Sequence, residues 1–296
     1  MATALFFLGV DGGATQCRAR LRDASGRCLG RGFGPAANIY VDFAAGIRAV
    51  TGSIEQALAE AGLESLGRER FALGLGLAGL SSAEDASRVA VALPGFARVE
   101  AVNDAVAACV GANGLSDGGL IIAGTGSAGI ARVGGVSKIL GGRGFWLGDD
   151  GSGARIGEAA LRATLRALDG LEPMGELTRA LAAHFGGDPA QMSRWAATAK
   201  PSDYGGFAPE IFAACRAGDA CAERIVAEAA QAIATLARAL VALGAGSIAL
   251  VGGVAEPLRP YLPTDVALRL AVPRNDAVDG AILLAGGTLA APGGPP

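Results

Sequence analysis

DGGAT at Asp11–Thr15 and GTGS at Gly124–Ser127 are the stretches that decide the fold of this 296-residue chain. Each follows a short apolar run, Leu5–Val10 in the first case and Leu120–Ala123 in the second. A run of this length that stops at closely spaced glycines predicts a buried strand followed by a tight turn. Both turns lead into two further strand-like stretches, so the chain repeats the order strand, glycine-rich turn, strand, turn, strand.

This repeat predicts two similar α/β domains with a ligand cleft between them. We expect the first domain at residues 1–114 and the second at 115–275, with a helix at 276–290 that crosses back to the first. Phe43–Ala61 carries apolar residues at helical spacing, and Phe71–Leu77 is a continuous apolar run typical of a buried strand.

Several local patterns add detail to this fold prediction. Gln16–Arg22 alternates apolar residues with arginines, which predicts a half-buried strand whose arginines face outward. Ser81 and Glu84 have the spacing of a capping box at the start of a helix. Ala267–Val272 is typical of a strand, and Asp276–Leu289 of a closing helix.

Composition excludes several classes of function. Only 18% of the residues are charged and the formal net charge is −3, so no basic surface for nucleic acid is expected. The mean hydropathy is +0.40, but the least polar stretch, Ala239–Ala255, is broken by glycines and shorter than the ~20 residues of a membrane span. Leu5–Leu8 follows no cation and precedes Asp11, unlike a signal peptide. We expect a soluble, cytoplasmic protein without nucleic-acid or membrane partners.

The cysteines and the single histidine also exclude chemistry. The five cysteines contain no C-x-x-C pair, and His184 stands alone. A zinc site or a Ser-His-Asp triad is therefore excluded, and the cysteines are interpreted as small core residues.

The two glycine turns are suited to binding phosphate. Adjacent glycines expose backbone N–H groups to phosphate oxygens, and Thr15 or Thr125 adds a hydroxyl donor. Asp11 could hold Mg²⁺ through water. Each turn alone also fits a plain β-hairpin, and the matching positions of the two turns favour the phosphate interpretation.

A competing motif is present at Gly74–Gly79, which fits G-x-G-x-x-G and has Glu100 further along, as a dinucleotide-binding fold would. However, Gly74 and Gly76 lie inside the apolar run instead of after it. The dinucleotide interpretation is therefore the weaker one.

A longer series of motifs makes the chain resemble a known family. These motifs follow one another in order at Asp11–Thr15, Asn38, Asn103–Ala105, Ala123–Ser127, Gly141–Ser152, Leu250–Val254 and Asn275–Ala281. The series resembles the N-acetylglucosamine kinases, bacterial glucosamine kinases and related BadF-type ATPases. The resemblance covers nearly the whole chain, and Gly141–Arg143, Gly151–Ala154 and Asp203–Phe207 are similar to the glucosamine kinases in particular.

The resemblance implies two actin-like (ribonuclease-H-like) domains and an ATP-dependent kinase that phosphorylates the 6-hydroxyl of glucosamine. N-acetylglucosamine is the alternative substrate, and ATP and Mg²⁺ are the implied cofactors. An ATPase of the BadF type that activates a partner enzyme is the alternative of another class, although the cysteines do not resemble its iron–sulfur ligands. A homodimer is left open.

Asp104 is our candidate for the catalytic base. It follows the predicted strand Arg98–Val102 and begins the predicted helix Ala105–Ala112, at the carboxyl end of a sheet where ligands of α/β proteins bind. Phosphoryl transfer needs a carboxylate that takes or orients the proton of the attacking hydroxyl. The alternative is that Asn103 or Asp104 only caps the helix.

The resemblance implies further site residues, each with a structural alternative such as a turn asparagine, a charge at a helix N-terminus or a tight turn. Arg143 departs from the better-known N-acetylglucosamine kinases, which have an aromatic residue after the paired glycines. The implied ATP ligands are Gly12, Gly13, Thr15, Thr125, Gly126, Gly252 and Gly253; the implied sugar ligands are Asn38, Asp104, Ser127, Gly142, Arg143 and Asp149; and Asp11 is implied for Mg²⁺.

Overall fold

The computed structural model describes residues 5–290, which divide into two compact units. The N-terminal unit runs to Gly118 and adds Arg132–Ser137 and the described part of the chain from Val272. The C-terminal unit consists of Gly119–Ala131 and Lys138–Ala271.

Each unit is built on a five-stranded sheet, with the strand orders β3-β2-β1-β4-β5 and β10-β9-β6-β7-β8. Read from β8, the second order repeats the first position for position. The predicted pair of similar α/β domains is thereby confirmed. The strands are β1 (Phe6–Gly12), β2 (Gln16–Asp23), β3 (Cys28–Pro35), β4 (Phe71–Leu77), β5 (Arg98–Asn103), β6 (Gly118–Ala123), β7 (Ser127–Val133), β8 (Val136–Gly141), β9 (Ile248–Val251) and β10 (Leu270–Ala271).

Twelve α-helices are present among the described residues, with short 3-10 turns at Arg68–Arg70 and Arg259–Tyr261. The helices are α1 (Phe43–Ala61), α2 (Ala83–Ala92), α3 (Asp104–Asn113), α4 (Gly153–Leu168), α5 (Glu176–Ala183), α6 (Pro189–Ala196), α7 (Pro201–Gly205), α8 (Ala208–Arg216), α9 (Ala220–Ala242), α10 (Ala255–Leu258), α11 (Thr264–Ala267) and α12 (Ala277–Leu284).

The core of the N-terminal unit surrounds β4, all seven residues of which are buried. Glycines in this core allow α12 to pack close to the sheet at Gly74 and close to α3 at Gly280. A Cβ atom on Gly74 would overlap the carbonyl oxygen of Ala281, and one on Gly280 would overlap that of Ala107. Packing of helix on strand thus accounts for Gly74 in the G-x-G-x-x-G motif, without a dinucleotide.

The arginines of β2 do not face solvent as predicted, because α12 covers that face. Arg20 bonds to both carboxylate oxygens of Asp276, at 3.0 and 2.8 Å, and lies 2.8 Å from Asp279. Arg22 donates to both oxygens of Asp279 at 3.0 Å. The ion pairs join the closing helix to the sheet, a long-range contact that the alternation of β2 does not reveal.

Two predicted elements near the C-terminus are wrong. Only Leu270–Ala271 of the predicted strand pairs with β9, since Thr264–Ala267 forms a short helix after Pro263. The closing helix ends at Leu284 instead of Leu289, because Gly286 adopts a φ of +90°.

The long helix α9 has the length and hydropathy of a membrane span. In this structure one face of it packs in the core of the C-terminal unit, with Ile225, Val226 and Ile233 buried. Its charged residues lie on the other face, where Arg238 pairs with Asp265 at 2.7 Å. We interpret α9 as the core helix of this unit.

The predicted capping box of α2 is shifted by one residue. Ser82, not Ser81, is the N-cap: its hydroxyl accepts from the N–H of Asp85 at 3.1 Å, and the Asp85 carboxylate accepts from the N–H of Ser82 at 3.0 Å. Glu84 takes no part in the box.

We expect Ser82→Ala to lower the free energy of unfolding by about 1 kcal/mol, because it removes the N-cap hydrogen bond. Glu84→Ala is the matched control. It should lower the free energy of unfolding by only a few tenths of a kcal/mol, the range of an exposed charge near a helix N-terminus. Urea unfolding followed by circular dichroism measures both. Equal losses for the two variants would contradict the observed register.

Candidate active site

The candidate site residues of the N-terminal unit lie at the carboxyl edge of its sheet. Because β1, β4 and β5 are parallel, Gly12 pairs with Leu77 and Leu77 pairs with Asn103 in one row. Neighbouring strands are about 4.8 Å apart. Gly13 and Asp104, which follow this row, are therefore roughly two strand spacings from each other.

The turn between β1 and β2 is closed by its backbone. The N–H of Gly13 donates to the carbonyl of Gln16 at 2.9 Å, and Ala14 and Thr15 are exposed. A Cβ atom on Gly12 would come within 2.6 Å of Leu77 Cδ2, so the close approach of the strands requires glycine there. The Thr15 hydroxyl is accessible to a ligand.

Asp11 precedes this turn and forms an ion pair with Arg18, its cross-strand partner on β2. The Asp11 Oδ2 atom and the Arg18 Nη2 atom are 2.5 Å apart. Sequence reasoning placed Asp11 in the site but missed Arg18. The available signal was the arginine at every second position of β2, one of which must lie opposite Asp11.

The structure separates the roles of Asn103 and Asp104. The Asn103 side chain is the N-cap of α3: it accepts from the N–H of Ala105 at 3.0 Å and donates to the carbonyl of Leu80 at 2.9 Å. Asp104 Oδ1 also accepts from the Ala105 N–H, at 2.9 Å. Within the described residues its Oδ2 has no hydrogen bond, so one carboxylate oxygen is available for chemistry.

The environment of Asp104 favours its neutral form. Burial raises the pKa of the carboxyl, the N–H of Ala105 acts in the opposite direction, and the charge of Asp11 adds to the increase. A carboxylate whose pKa is moved toward neutrality is a better general base than an ordinary aspartate.

Asn38 lies in a loop that is attached to the turn between β1 and β2, since the N–H of Ala37 donates to the carbonyl of Gly13 at 3.0 Å. Asn38 Oδ1 accepts from the N–H groups of Tyr40 and Val41, at 3.0 and 3.3 Å. The amide oxygen thus shapes its own loop, and Nδ2 is the atom that can donate to a ligand.

The turn of the C-terminal unit is held by the first residues of α4. The carbonyls of Gly124 and Thr125 accept from the N–H groups of Gly153 and Ala154, at 2.8 and 3.3 Å. The N–H of Gly124 donates to the carbonyl of Gly126 at 2.9 Å. The Thr125 side chain is exposed, as Thr15 is in the other unit.

Asp149 has a φ of +62°, the left-handed conformation, which no other described non-glycine residue adopts. Its carboxylate lies against the turn, 2.7 Å from where a Cβ atom on Gly126 would be. Burial raises the pKa of this carboxyl, and the amide of Ser127 acts to lower it. A left-handed aspartate costs about 1 kcal/mol, and such positions concentrate at functional sites.

The loop at 141–151 is fixed at three points. The Ser127 hydroxyl donates to the carbonyl of Asp150 at 2.8 Å, and the N–H of Gly142 donates to the carbonyl of Ser127 at 3.1 Å. Arg155 Nε donates to the carbonyl of Gly148 at 3.0 Å. Ser127 is buried, so its hydroxyl positions the loop.

An aromatic stack supports the same loop from below. Phe145 is buried and stacks on Tyr204 with ring centroids 5.3 Å apart, and the Arg155 guanidinium lies 4.9 Å from the Phe145 ring. Arg143 and Trp146 are exposed on the loop. The stack shows why the Asp203–Phe207 motif accompanies this loop in the sequence.

A cavity of about 620 Å³ opens within the C-terminal unit beside the Gly124–Ser127 turn. This volume is in the range of small-molecule sites. Sequence reasoning assigned Thr125 and Gly253 to nucleotide binding, but it missed Ala208, Pro209, Phe212, Arg216 and Pro257, because they come from short helices that it did not predict. The cavity is lined by Gly124, Thr125, Gly153, Gly205, Ala208, Pro209, Phe212, Arg216, Gly253, Val254 and Pro257.

Gly253 lines this cavity, and its neighbour Gly252 shapes the backbone that precedes it. Gly252 has a φ of +110°, and a Cβ atom there would overlap the carbonyl oxygen of Ala123. A Cβ atom on Gly253 would meet nothing within 4 Å. Gly253 therefore leaves an open surface for a flat ligand.

The donor set for a metal is small. Within residues 5–290 no group of three or more His, Cys, Asp and Glu side chains could hold an ion. Mg²⁺ commonly binds through one or two carboxylates together with substrate phosphates. Asp11, at the end of β1 beside the turn, is a carboxylate of the kind that this mode of binding uses.

The two sheets have the same strand order, and in each unit a glycine turn joins the first two strands. This is the organisation of an actin-like nucleotide-binding protein. The chain belongs to the BadF/BadG/BcrA/BcrD ATPase family, whose model matches residues 8–285. The resemblance inferred from the motifs is thereby confirmed.

Individual relatives are sugar kinases. The chain is 36% identical over 281 residues to the glucosamine kinase GspK of Vibrio cholerae, covering 95% of this chain and 96% of that protein. It is 30% identical to the N-acetyl-D-glucosamine kinase of Dictyostelium discoideum, covering 79% of each. A solved structure from Chromobacterium violaceum, assigned as an N-acetylglucosamine kinase, has a TM-score of 0.84 at 35% identity and covers 95% of this chain and 99% of that one.

Proposed function

We propose that this protein is an ATP-dependent amino-sugar kinase that transfers the γ-phosphoryl group of ATP to the 6-hydroxyl of glucosamine. The observation that carries the proposal is the Asp104 carboxylate, which is half-buried at the carboxyl edge of the sheet and has a free oxygen. The similarity to a glucosamine kinase over almost the whole chain supports the choice of substrate.

Asp104 is the proposed general base. Its Oδ2 atom accepts the proton of the 6-hydroxyl as the sugar oxygen attacks phosphorus and the bond from phosphorus to ADP breaks. The N–H of Ala105 on Oδ1 orients the carboxylate for that transfer. Burial is the main cause that raises the pKa of Asp104, and in the absence of Mg²⁺ the charge of Asp11 adds to the increase.

Phosphate-binding roles are proposed separately for Gly12, Gly13 and Thr15 of the N-terminal unit and for Thr125 and Gly126 of the C-terminal unit. The exposed hydroxyls of Thr15 and Thr125 support these roles, since they suit phosphate oxygens, whereas the N–H of Gly13 is already bonded to the carbonyl of Gln16. Mg²⁺, when bound, would be held by Asp11 and would neutralise phosphate charge. We further propose a cytoplasmic location, which the five free cysteines support.

The adenosine is assigned to the cavity of the C-terminal unit. Gly253 and apolar lining residues such as Pro209 and Pro257 offer a largely apolar surface to a purine. Burying an apolar ring in such a cavity is favourable at roughly 25 cal/mol per Å².

Sugar-binding roles are proposed for Asn38 and Asp104 in the N-terminal unit and, separately, for Gly142, Arg143 and Asp149 in the C-terminal unit. Asn38 Nδ2 can donate to a hydroxyl oxygen. Asp149 offers a carboxylate to the ammonium of glucosamine. Arg143 is exposed at the position where, by the resemblance, the better-known N-acetylglucosamine kinases have an aromatic residue and the glucosamine kinases have arginine. An arginine provides a poor apolar recess for an acetamide methyl.

We expect a higher kcat/KM for glucosamine than for N-acetylglucosamine. Burying the acetamide methyl of N-acetylglucosamine would contribute only about 1 kcal/mol. Much of the discrimination must therefore come from charge, because a carboxylate pairs with the ammonium of glucosamine and is left unpaired by the acetamide. A coupled ADP assay with a panel of hexoses under one set of conditions measures the preference. Equal or reversed values would overturn the substrate assignment but not the kinase assignment.

Asp149→Asn and Asp150→Asn form a matched pair for this test. Asp149→Asn should reduce the preference for glucosamine, because it removes the carboxylate at the turn while asparagine tolerates the left-handed conformation. Asp150 is exposed and contributes its backbone carbonyl to the loop, so Asp150→Asn should leave the preference unchanged. ATP hydrolysis that no sugar stimulates would instead favour an ATPase.

A further inference from the structure

β3 is an edge strand among the described strands, because the sheet of the N-terminal unit has the order β3-β2-β1-β4-β5. An edge strand presents backbone N–H and C=O groups that can pair with a strand of another molecule. Arg31 and Phe33 are two positions apart on β3, so their N–H groups point to the same side. Phe33 is 63% exposed, and a bare edge that carries such a side chain would favour pairing with a second copy of the chain.

In this structure, side chains of α1 bond to the free edge of β3 as a neighbouring strand would. The N–H of Arg31 donates to Glu60 Oε2 at 2.9 Å, and the N–H of Phe33 donates to Gln56 Oε1 at 2.5 Å. Gln56 and Glu60 are both exposed. The two hydrogen bonds therefore lie on the surface, where another molecule would otherwise reach these N–H groups.

The residue spacing of α1 matches the spacing of the outward N–H groups of β3. Two residues of a strand advance about 6.8 Å, and four residues of an α-helix advance about 6 Å. Gln56 and Glu60 can therefore each reach one N–H group. The next strand position on this side is Pro35, which has no N–H, and the next helix position is Gly52, which has no side chain. The acceptors on the helix thus end where the donors on the strand end.

Glycines bring α1 close enough to β3 for these bonds. A Cβ atom on Gly30 would overlap the carbonyl oxygen of Ala57, and one on Gly32 would overlap that of Ser53. The backbone of the helix therefore lies directly against the strand. At this separation, glutamine and glutamate side chains are long enough to reach around to the edge.

We propose that Gln56 and Glu60 block self-association through β3, so that a second copy of this chain cannot add a strand to the sheet. They occupy the N–H groups that such a strand would need. The carboxylate of Glu60 also places a charge at the edge, which opposes pairing. The inference does not depend on the proposed function, and it implies that any oligomer of this protein forms through another surface.

The test compares Gln56→Ala/Glu60→Ala with Gln56→Glu/Glu60→Gln by sedimentation velocity, over a range of protein concentrations and without sugar or nucleotide. The alanine pair removes both acceptors and should form a higher-mass species that increases with concentration. The exchanged pair keeps both acceptors and the net charge, so it should sediment as the wild type does. Glu55→Ala controls for the lost charge and should also match the wild type. Glu55 is exposed on α1 and makes no hydrogen bond or ion pair among the described residues.

Two further measurements locate the association. In the dilute alanine variant, hydrogen exchange at the N–H groups of Arg31 and Phe33 should be about 10-fold faster than in the wild type, the effect of one lost hydrogen bond. Adding Phe33→Lys to the alanine pair should restore the wild-type mass, because a lysine on an edge strand opposes pairing.

Several outcomes would overturn the proposal. A folded alanine variant that keeps the wild-type mass at every concentration shows that the two acceptors block nothing. An exchanged pair that associates as strongly as the alanine pair shows that the acceptors are not what prevents association. Association that survives Phe33→Lys places the contact outside β3. If the alanine pair does not fold, the wild type decides: exchange at Arg31 and Phe33 as fast as at unbonded amides contradicts the bonds on which the proposal rests.

Discussion

Asp104→Asn is expected to lower kcat at least 10²-fold, the lower end of the effect of general acid–base groups, while the protein stays folded and binds both substrates. Asparagine is nearly isosteric and can still accept the N–H of Ala105, so the start of α3 is preserved. What is lost is the group that accepts the proton. Steady-state kinetics with glucosamine and ATP measure the effect. Near-normal turnover would remove Asp104 from the mechanism.

The raised pKa of Asp104 also predicts how kcat and the Tm depend on pH. Its raised pKa means that kcat should fall as the pH is lowered through that pKa, above the ordinary range of an aspartate. A group whose pKa is raised on folding stabilises the protein below its unfolded pKa and loses that contribution as the pH rises through the folded one. Asp104→Asn should therefore leave the Tm at neutral pH unchanged or higher. A large loss of Tm would indicate a structural role.

Asp279→Ala is expected to lower the free energy of unfolding by roughly 3–5 kcal/mol, because it leaves two largely buried arginines without their shared partner. Asp279 is only 5% exposed and bonds to both Arg20 and Arg22. The ion pairs of Asp279 with Arg20 and Arg22 hold α12 on the sheet, so the loss of stability should appear first in that helix. Urea unfolding by circular dichroism gives the energy, and hydrogen exchange locates it.

Asp265→Ala is the matched control for that prediction. Asp265 makes the same two-point contact with an arginine, Arg238, at 2.7 and 2.9 Å, but both side chains are about half exposed. Exposed ion pairs contribute about 0–1 kcal/mol. Similar losses for the buried and exposed variants would contradict the importance assigned to burial.

The ion pairs of Arg20 with Asp276 and Asp279 should weaken at low pH. Burial acts to raise the pKa of Asp276, but the hydrogen bond from Arg20 and that from the N–H of Asp279 hold it below its usual value. A group with a lowered folded pKa stabilises the protein above its unfolded pKa. That contribution is lost as the pH falls through the folded pKa, so acid should loosen α12.

Much of the fold could be predicted because its signals are local. The bounds of α1 and β4 were predicted as the structure shows them, since helical spacing ending at a glycine and a continuous apolar run depend only on neighbouring residues. The short helices α6, α7 and α8 went unpredicted. They carry little periodicity of their own and are held by packing of residues such as Tyr204 and Phe212.

Residue types and motif order determined, from the sequence alone, the class of fold, the family and the residues assigned to the site. Tertiary structure decided which of these residues have side-chain atoms that are not bonded within the protein. It made Asn103 the cap and left Asp104 Oδ2 unbonded, and it paired Asp11 with Arg18. The physical reason is that hydrogen-bond partners come from strand register and burial, and both join residues that are distant in the chain.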